Sequence, residues 1–404
     1  MEQHGKTLRR GESGFSLVEL ILYMALLGIM MAMVFSSFIP VMQTSSQQWR
    51  VGETKIETGV GLELLRADLE HAGFGLPWMF PAGVVPDPYF EPVAPVAPAT
   101  TNDALTKAVP RALSSEDATA IGLNNGSDYL AIKALNVARG VTGQKWGWLG
   151  RDAAHLASPQ SLGVDPFDVA NDWVIVIRTE VSPGENRQLV LDGAGLNNFY
   201  AKPTSIALDA FAPPATANDP DGERYILYGL VDNNPVVAPR RPFNRTDYYV
   251  NNAANAAVSA HCAPGTGTLS KAVLNQSDNN FDDILPIVDC VADFQVVYYL
   301  DTNGDGGVDA RANASGLAGM TAQQIRTQVK AIRCYVLTHE GGIDRTYTYG
   351  LPTINVGEVA ADGVTLQANA GRTFDVSTLP NIGLTWVNYH WKVYSLAVTP
   401  RNLQ

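Results

Sequence analysis

Two short stretches carry residues whose types and spacing could do chemistry. The first is Asp301-Thr302-Asn303-Gly304-Asp305-Gly306-Gly307-Val308-Asp309, with oxygen-bearing side chains at positions one, three, five and nine and glycine at six. Hard divalent cations take oxygen ligands, and this alternation is the opening of an EF-hand-type calcium loop, in which the seventh residue supplies a backbone carbonyl. The expected calcium ligands are therefore Asp301, Asn303, Asp305, Gly307 and Asp309. Position twelve is Ala312 instead of a bidentate Glu, so another ligand must come from elsewhere or from water, and weaker or differently capped binding is expected. The same residues also suit a plain hairpin connection, because Asn-Gly and Asp-Gly are strong turn formers.

The second is Glu19, the one ionisable group besides the Tyr23 phenol in the apolar run from Phe15 to Met42. A carboxylate this far inside a membrane-length segment costs a few kcal/mol unless it is paired, so it is functional by default. An α-ammonium created by cleavage after Gly14 is the obvious partner.

The elements that must position these groups follow from the same residues. The run 15–42 exceeds the roughly 20 apolar residues that span a bilayer, and it is too long for the apolar core of a secretory signal. Lys6, Arg9 and Arg10 precede it, against Glu2 and Glu12, which places residues 1–14 in the cytoplasm and the rest outside. Residues 43–75 continue as an amphipathic helix, with Trp49, Ile56, Val60 and Leu64 on one stripe and Leu62, Leu65 and Leu69 beside it. Half of this helix is expected to pack under a globular head. Pro40 should kink or locally melt the helix, and Gly73 or Gly75, followed by Pro77, should end it. Residues 76–114, rich in Pro, Ala and Val, read as a surface loop or linker. From residue 115 to 404, short β-rich runs such as Tyr129–Ala134, Trp173–Thr179, Val288–Leu300, Lys330–His339 and Trp391–Val398 alternate with turn clusters, as in antiparallel hairpins. The fold class is thus α+β, a long N-terminal helix against an antiparallel sheet with large loop insertions.

The leader, cut site and Glu spacing resemble the type IV prepilin family, in which Gly precedes the first mature residue and Glu stands at the mature fifth position. Gly14, Phe15 and Glu19 match that motif. The resemblance implies a pilin-like fold, cleavage after Gly14 and N-methylation of Phe15 by a prepilin peptidase, and neutralisation of a neighbouring subunit's terminal amine by Glu19. The stretch Arg66–Gly75, the acidic loop and the C-terminal Val393–Val398 with Thr399-Pro400-Arg401-Asn402-Leu403 resemble PilW-type minor pilins, which are similar to J-type pseudopilins.

Three cysteines lie in the exported part, where disulfides form. Cys262–Cys290 is the favoured pair, because Cys262 falls in a loop and Cys290 borders a strand, with Cys290–Cys334 as the alternative.

With 404 residues, 46% hydrophobic and 17% charged, there is material for a large core. A net charge of −12 argues against nucleic acid as a partner. Enzyme motifs are missing: no His-Glu-x-x-His, no Gly-x-Ser-x-Gly, and Gly265–Lys271 is only superficially like a phosphate loop. His339-Glu340 reads as a strand end. The resemblance implies a low-copy minor pilin of the initiation or tip complex, held in the inner membrane with a periplasmic head before assembly and at the cell surface after it. Its expected partners are the prepilin peptidase, other minor pilins and the major pilin. The alternatives are a J-type pseudopilin of a type II secretion system and a membrane-tethered adhesin or hydrolase.

Overall fold

The computed structural model describes residues 16–92, 97–117, 126–137, 140–152, 156–163, 165–182, 185–192, 197–214, 223–232, 238–252 and 259–403. They divide into two units, residues 1–53 and 54–404.

Helix α1 (Leu17–Glu70) opens the chain. Within the first unit its segment Leu17–Ile39 has a mean hydropathy of 2.4, long and apolar enough to cross a membrane. Its apolar side chains are exposed along this length, from Leu17 to Met42. Local melting at Pro40 does not occur, for the helix runs through that residue. One missing N–H leaves the neighbouring bonds of the ladder in place. One turn earlier, the Ser36 and Ser37 hydroxyls donate to the Met33 carbonyl at 2.9 and 3.1 Å.

In the second unit α1 buries Thr54, Thr58, Leu62, Leu65 and Leu69, spaced by three and four as a helix face requires. Of the two apolar rows, Ile56, Val60 and Leu64 are exposed, and Leu62, Leu65 and Leu69 face the head. Gly61 explains how close the packing is: a Cβ there would lie 1.8 Å from the Ile287 carbonyl oxygen. The helix ends at Glu70, a few residues before the expected glycines, and Gly73 and Gly75 supply left-handed φ values of 84° and 68° in the turns that follow.

Sixteen strands follow among the described residues. In chain order they are β1 (Leu113–Asp117), β2 (Asp128–Ala134), β3 (Trp146–Arg151), β4 (Ala157–Leu162), β5 (Asp172–Ser182), β6 (Glu185–Leu189), β7 (Tyr200–Ala201) and β8 (Tyr225–Asp232). Then come β9 (Asn244–Asn251), β10 (Gly267–Leu274), β11 (Phe281–Leu300), β12 (Ala310–Ala312), β13 (Val329–Glu340), β14 (Thr353–Val359), β15 (Leu366–Asp375) and β16 (His390–Val398). Short helices α2 (Ala314–Ala318) and α3 (Ala322–Gln328) separate β12 from β13.

The central sheet runs β1-β2-β9-β10-β11-β13-β16, with β12 added to β11, and every pairing is antiparallel. Strand alternation sends Leu130, Ile132, Tyr248, Phe294, Val296, Val336 and Leu396 into one core with Leu62, Leu65 and Leu69 of α1. On the opposite face, Val297, Tyr299, Tyr335 and Leu337 pack against Val356, Ala370 and Phe374 of the β14–β15 hairpin.

In the segment 76–114, expected as a surface loop or linker, the described residues pack onto the head. Glu91, Ala97, Thr101, Asn102 and Asp103 are buried, and Ala97 packs with Tyr129, Ala131 and Tyr249 of the sheet. Between β2 and β9 the chain builds a second antiparallel sheet, β4-β3-β8-β5-β6 with β7 on β5. It has a core on each face, one around Val174, Val176 and Leu227 and the other around Ile175, Ile177 and Leu230.

Candidate functional site: the assembly helix and its head

Gly14 and Phe15 lie outside the described residues. Glu19 stands in the first turn of α1 and is exposed, where its charge also suits the partial positive end of the helix.

The acidic loop joins β11 to β12 as a hairpin, with Leu300 paired to Ala310. Its side chains fold back on its own backbone. Asp301 accepts from the Gly304 and Gly306 N–H groups at 2.7 and 2.9 Å, and Lys330 Nζ lies 3.5 Å from its Oδ2. Asn303 accepts from Asp305 N–H at 2.9 Å, and Asp305 accepts from Gly307 N–H at 2.7 Å. Asp309 accepts from the Thr302 hydroxyl at 2.8 Å and from Asn303 N–H at 3.1 Å. Burial opposes ionisation of Asp301, but the two N–H groups and Lys330 outweigh it and hold the carboxyl below its ordinary range. The Thr302 hydroxyl does the same for Asp309. The donor chemistry fits an oxygen-seeking cation, yet the three carboxylates do not converge on one point: among the described residues the sole close group of such side chains is His261, Cys262 and Cys290.

That trio offers no thiolate, because Cys262 and Cys290 are joined in a disulfide with a Cα–Cα distance of 4.9 Å. Cys334 is a buried free thiol on β13, opposite Val296 and Leu396, and burial pushes its pKa well up. An inert thiol in that setting is a small apolar core residue. His339 proves to be a support for the disulfide loop. Its Nε2 accepts from Ala263 N–H at 2.8 Å and its Nδ1–H donates to the Gly341 carbonyl at 3.0 Å. Burial brings its pKa down to about 3, so the ring is neutral.

The end of α1 is fastened to the sheet by charge. Asp68 meets Lys271 Nζ of β10 at 2.6 Å and the Tyr248 hydroxyl of β9 at 2.5 Å. Glu70 meets Arg401 at 2.6 Å, and its carbonyl accepts the Arg401 N–H at 3.0 Å. Leu403 closes over Gly73, 3.1 Å from where a Cβ would sit. The helix end and the C-terminal segment, distant in sequence, thus form one joint.

A buried ionic network, unseen in the sequence, holds residues 76–112 to the other face of the sheet. Lys133 of β2 lies 2.6 Å from Glu91 and 2.5 Å from Asp103, and Arg245 of β9 lies 3.1 Å from Glu91 and 2.7 Å from Asp247. Arg111 adds a 2.6 Å contact to Asp103. Burial works against the Glu91 carboxylate, but Lys133 and Arg245 overcome it and bring the pKa to about 2. The sequence held no signal for it, because Lys133 and Arg245 become neighbours only through the register of β2 against β9.

Residues 9–35 match the prokaryotic N-terminal methylation motif, and residues 247–402 match the family described as Type IV Pilus-assembly protein W. The chain is thus similar to PilW over its C-terminal region and to type IV prepilins at its N-terminus. No curated protein and no solved structure matches it. The PilW match takes in Tyr248, Lys271, the disulfide, the acidic loop and Arg401, so it contains the sheet side of the joint that grips α1. Outside it lie the second sheet and the segment 76–112.

Proposed function

We propose that this type IV pilus-related minor pilin acts at low copy in the complex that initiates or caps the filament. The observation that carries the reading is the N-terminal unit: a methylation motif, an exposed apolar helix and a single acid, Glu19, with no charge of its own segment to meet. Cleavage after Gly14 would place the ammonium of Phe15 four residues before Glu19, and the pairing of that amine with Glu19 of a neighbour would set the axial register. The inserted second sheet supports a terminal position, because it adds bulk that close helical packing of a shaft subunit disfavours. The head would face the periplasm until assembly.

Mass spectrometry of sheared filaments and of membranes tests this reading. A mature chain beginning with N-methyl-Phe15, enriched in filaments and far below the major subunit in amount, is expected. Residues 1–14 intact in membranes, with none of the protein in filaments, overturns it. Glu19→Ala should leave the chain in the membrane and remove it from filaments. Incorporation into a secretion pseudopilus instead would favour the J-type alternative.

We also propose calcium for the loop 301–309. Uptake requires the carboxylates to swing from their own N–H groups toward one ion, so affinity should be modest. A rise in melting temperature with calcium chloride that Asp305→Asn abolishes is expected, and no rise at millimolar calcium rejects the site.

A further inference from the structure

A cleft of about 640 Å³ opens between the 97–111 segment and the α2–α3 region, with Trp78, Leu105, Thr106, Met320, Gln323 and Arg326 among its lining residues. The volume is within the range of small-ligand pockets, about 300–1,000 Å³. Its walls are unusual in charge. The carboxylate that lines it, Asp103, is already matched by Arg111 and Lys133. Glu91 and Asp247 are matched in turn by Arg245, so three acids and three bases cancel behind the wall.

Arg326 is left over. Its guanidinium lies 4.9 Å from the centre of the Trp78 ring, and that of Arg187 lies 5.2 Å from the same centre. Desolvation and the like charge of Arg187 both lower its pKa, to about 10, and among the described residues no carboxylate offsets them. Arg187 is itself held in a left-handed backbone conformation, φ 59°, while its carbonyl accepts the Trp78 N–H at 2.9 Å. Strained residues of this kind are kept where the surrounding structure demands them. Two cations on one indole, with an ion pair to neither among the described residues, form a receptor for an anionic group.

We infer that this cleft binds a short acidic saccharide, with a uronate carboxylate on Arg326 and sugar hydroxyls on the polar rim. Thr106 and Gln323 offer hydroxyl and amide groups, and Leu105 and Met320 offer apolar faces to the carbon side of a pyranose. A peptide strand needs a sheet edge or a row of free backbone groups. Here the walls are 3₁₀ turns at Ala99–Thr101 and Ala104–Thr106 and helix α3, so a peptide is less well served. A long polyanion is opposed by the net charge of −12.

The test is calorimetric titration of the full-length protein in detergent micelles with trigalacturonate, neutral galactotriose and a hexaglutamate peptide. Trigalacturonate should bind and galactotriose should not, and affinity should fall with added sodium chloride. Arg326→Gln should weaken binding about 10-fold or more. Arg326→Lys, which keeps the charge and loses the fork, should weaken it less. Near-UV circular dichroism checks that each variant is folded, and if Arg326→Gln is not, the lysine variant and the salt dependence decide. Absence of trigalacturonate binding, equal binding of the neutral sugar, or an unchanged affinity in folded Arg326→Gln overturns the inference. Tighter binding of the peptide overturns it as well, by giving the cleft to a different ligand.

Discussion

At the scale of the residue, His339 links protonation to the integrity of the head. Its folded pKa of about 3 lies below the ordinary value of 6.5, because the ring is buried and its Nε2 must stay unprotonated to accept from Ala263. Between those two values the unfolded chain binds more protons than the folded one, so stability is full above pH 6.5 and falls as the pH drops toward 3. The slope from this one group approaches about 1.4 kcal/mol per pH unit. His339→Asn keeps an oxygen for the Ala263 N–H and does not titrate. Melting of the full-length chain followed by near-UV circular dichroism should show a flatter decline between pH 6.5 and 4.5 in the variant. An identical pH profile would mean that His339 is solvated. Such a role was invisible in sequence, where His339-Glu340 reads only as the end of an apolar run. By contrast the Cys262–Cys290 pair was legible, since one cysteine stands in a turn-rich stretch and the third is embedded in Ala331–Leu337.

Elements were legible where one face is apolar and the other polar, and illegible where charge is buried on the second face. Strands β2, β5, β8, β11, β13 and β16 coincide with runs of Val, Ile, Leu and Tyr. Strand β9, Asn-Arg-Thr-Asp-Tyr-Tyr-Val-Asn, is nearly all buried although half its residues look like surface, because Arg245 is shared between Asp247 and Glu91. Strand β10 hid in the stretch that looked like a phosphate loop, where Lys271 serves Asp68 instead. Removing one member of the buried network is therefore costly. Lys133→Met should destabilise the head by about 3–5 kcal/mol, because it strips counter-charge from Glu91 and Asp103. Adding Glu91→Gln should restore part of the loss and expose residues 76–112 to protease less than the single change does. Gly61 makes the complementary case on the helix. Alanine is the better helix former by about 1 kcal/mol. At this position its methyl would strike the Ile287 carbonyl, so Gly61→Ala should lower the melting temperature, with a net cost of about 1–3 kcal/mol. A higher melting temperature would show that α1 and β11 do not approach so closely.

For the whole molecule the question is which parts serve assembly and which were added to that frame. The sequence exposed the frame at both ends: an apolar helix that carries a methylation motif, and a C-terminal region whose strands and Arg401 grip the helix end. It did not expose the second sheet, because its strands are as short and alternating as the others and nothing local says which sheet a strand joins. Topology now separates them. Ala134, the last residue of β2, is the register partner of Asn244, the first of β9, so the second sheet leaves and re-enters the central sheet at neighbouring points. Antiparallel neighbours of this kind can be closed by a two-residue turn. A chain in which residues 138–240 are replaced by Asn-Gly, so that Val137 meets Arg241 in the same register, should therefore retain the central sheet, the disulfide and the grip on Asp68 and Glu70. It loses Phe74–Tyr228 packing and the Leu230 carbonyl partner of Asn244, so a lower melting temperature is expected with a single transition. If terminal placement follows from the bulk of the inserted sheet, quantitative mass spectrometry of sheared filaments should find more copies of the shortened chain than of the full-length one. If the inserted sheet instead makes the contact that recruits the subunit, the shortened chain will be processed to Phe15, stay folded in the membrane and be missing from filaments.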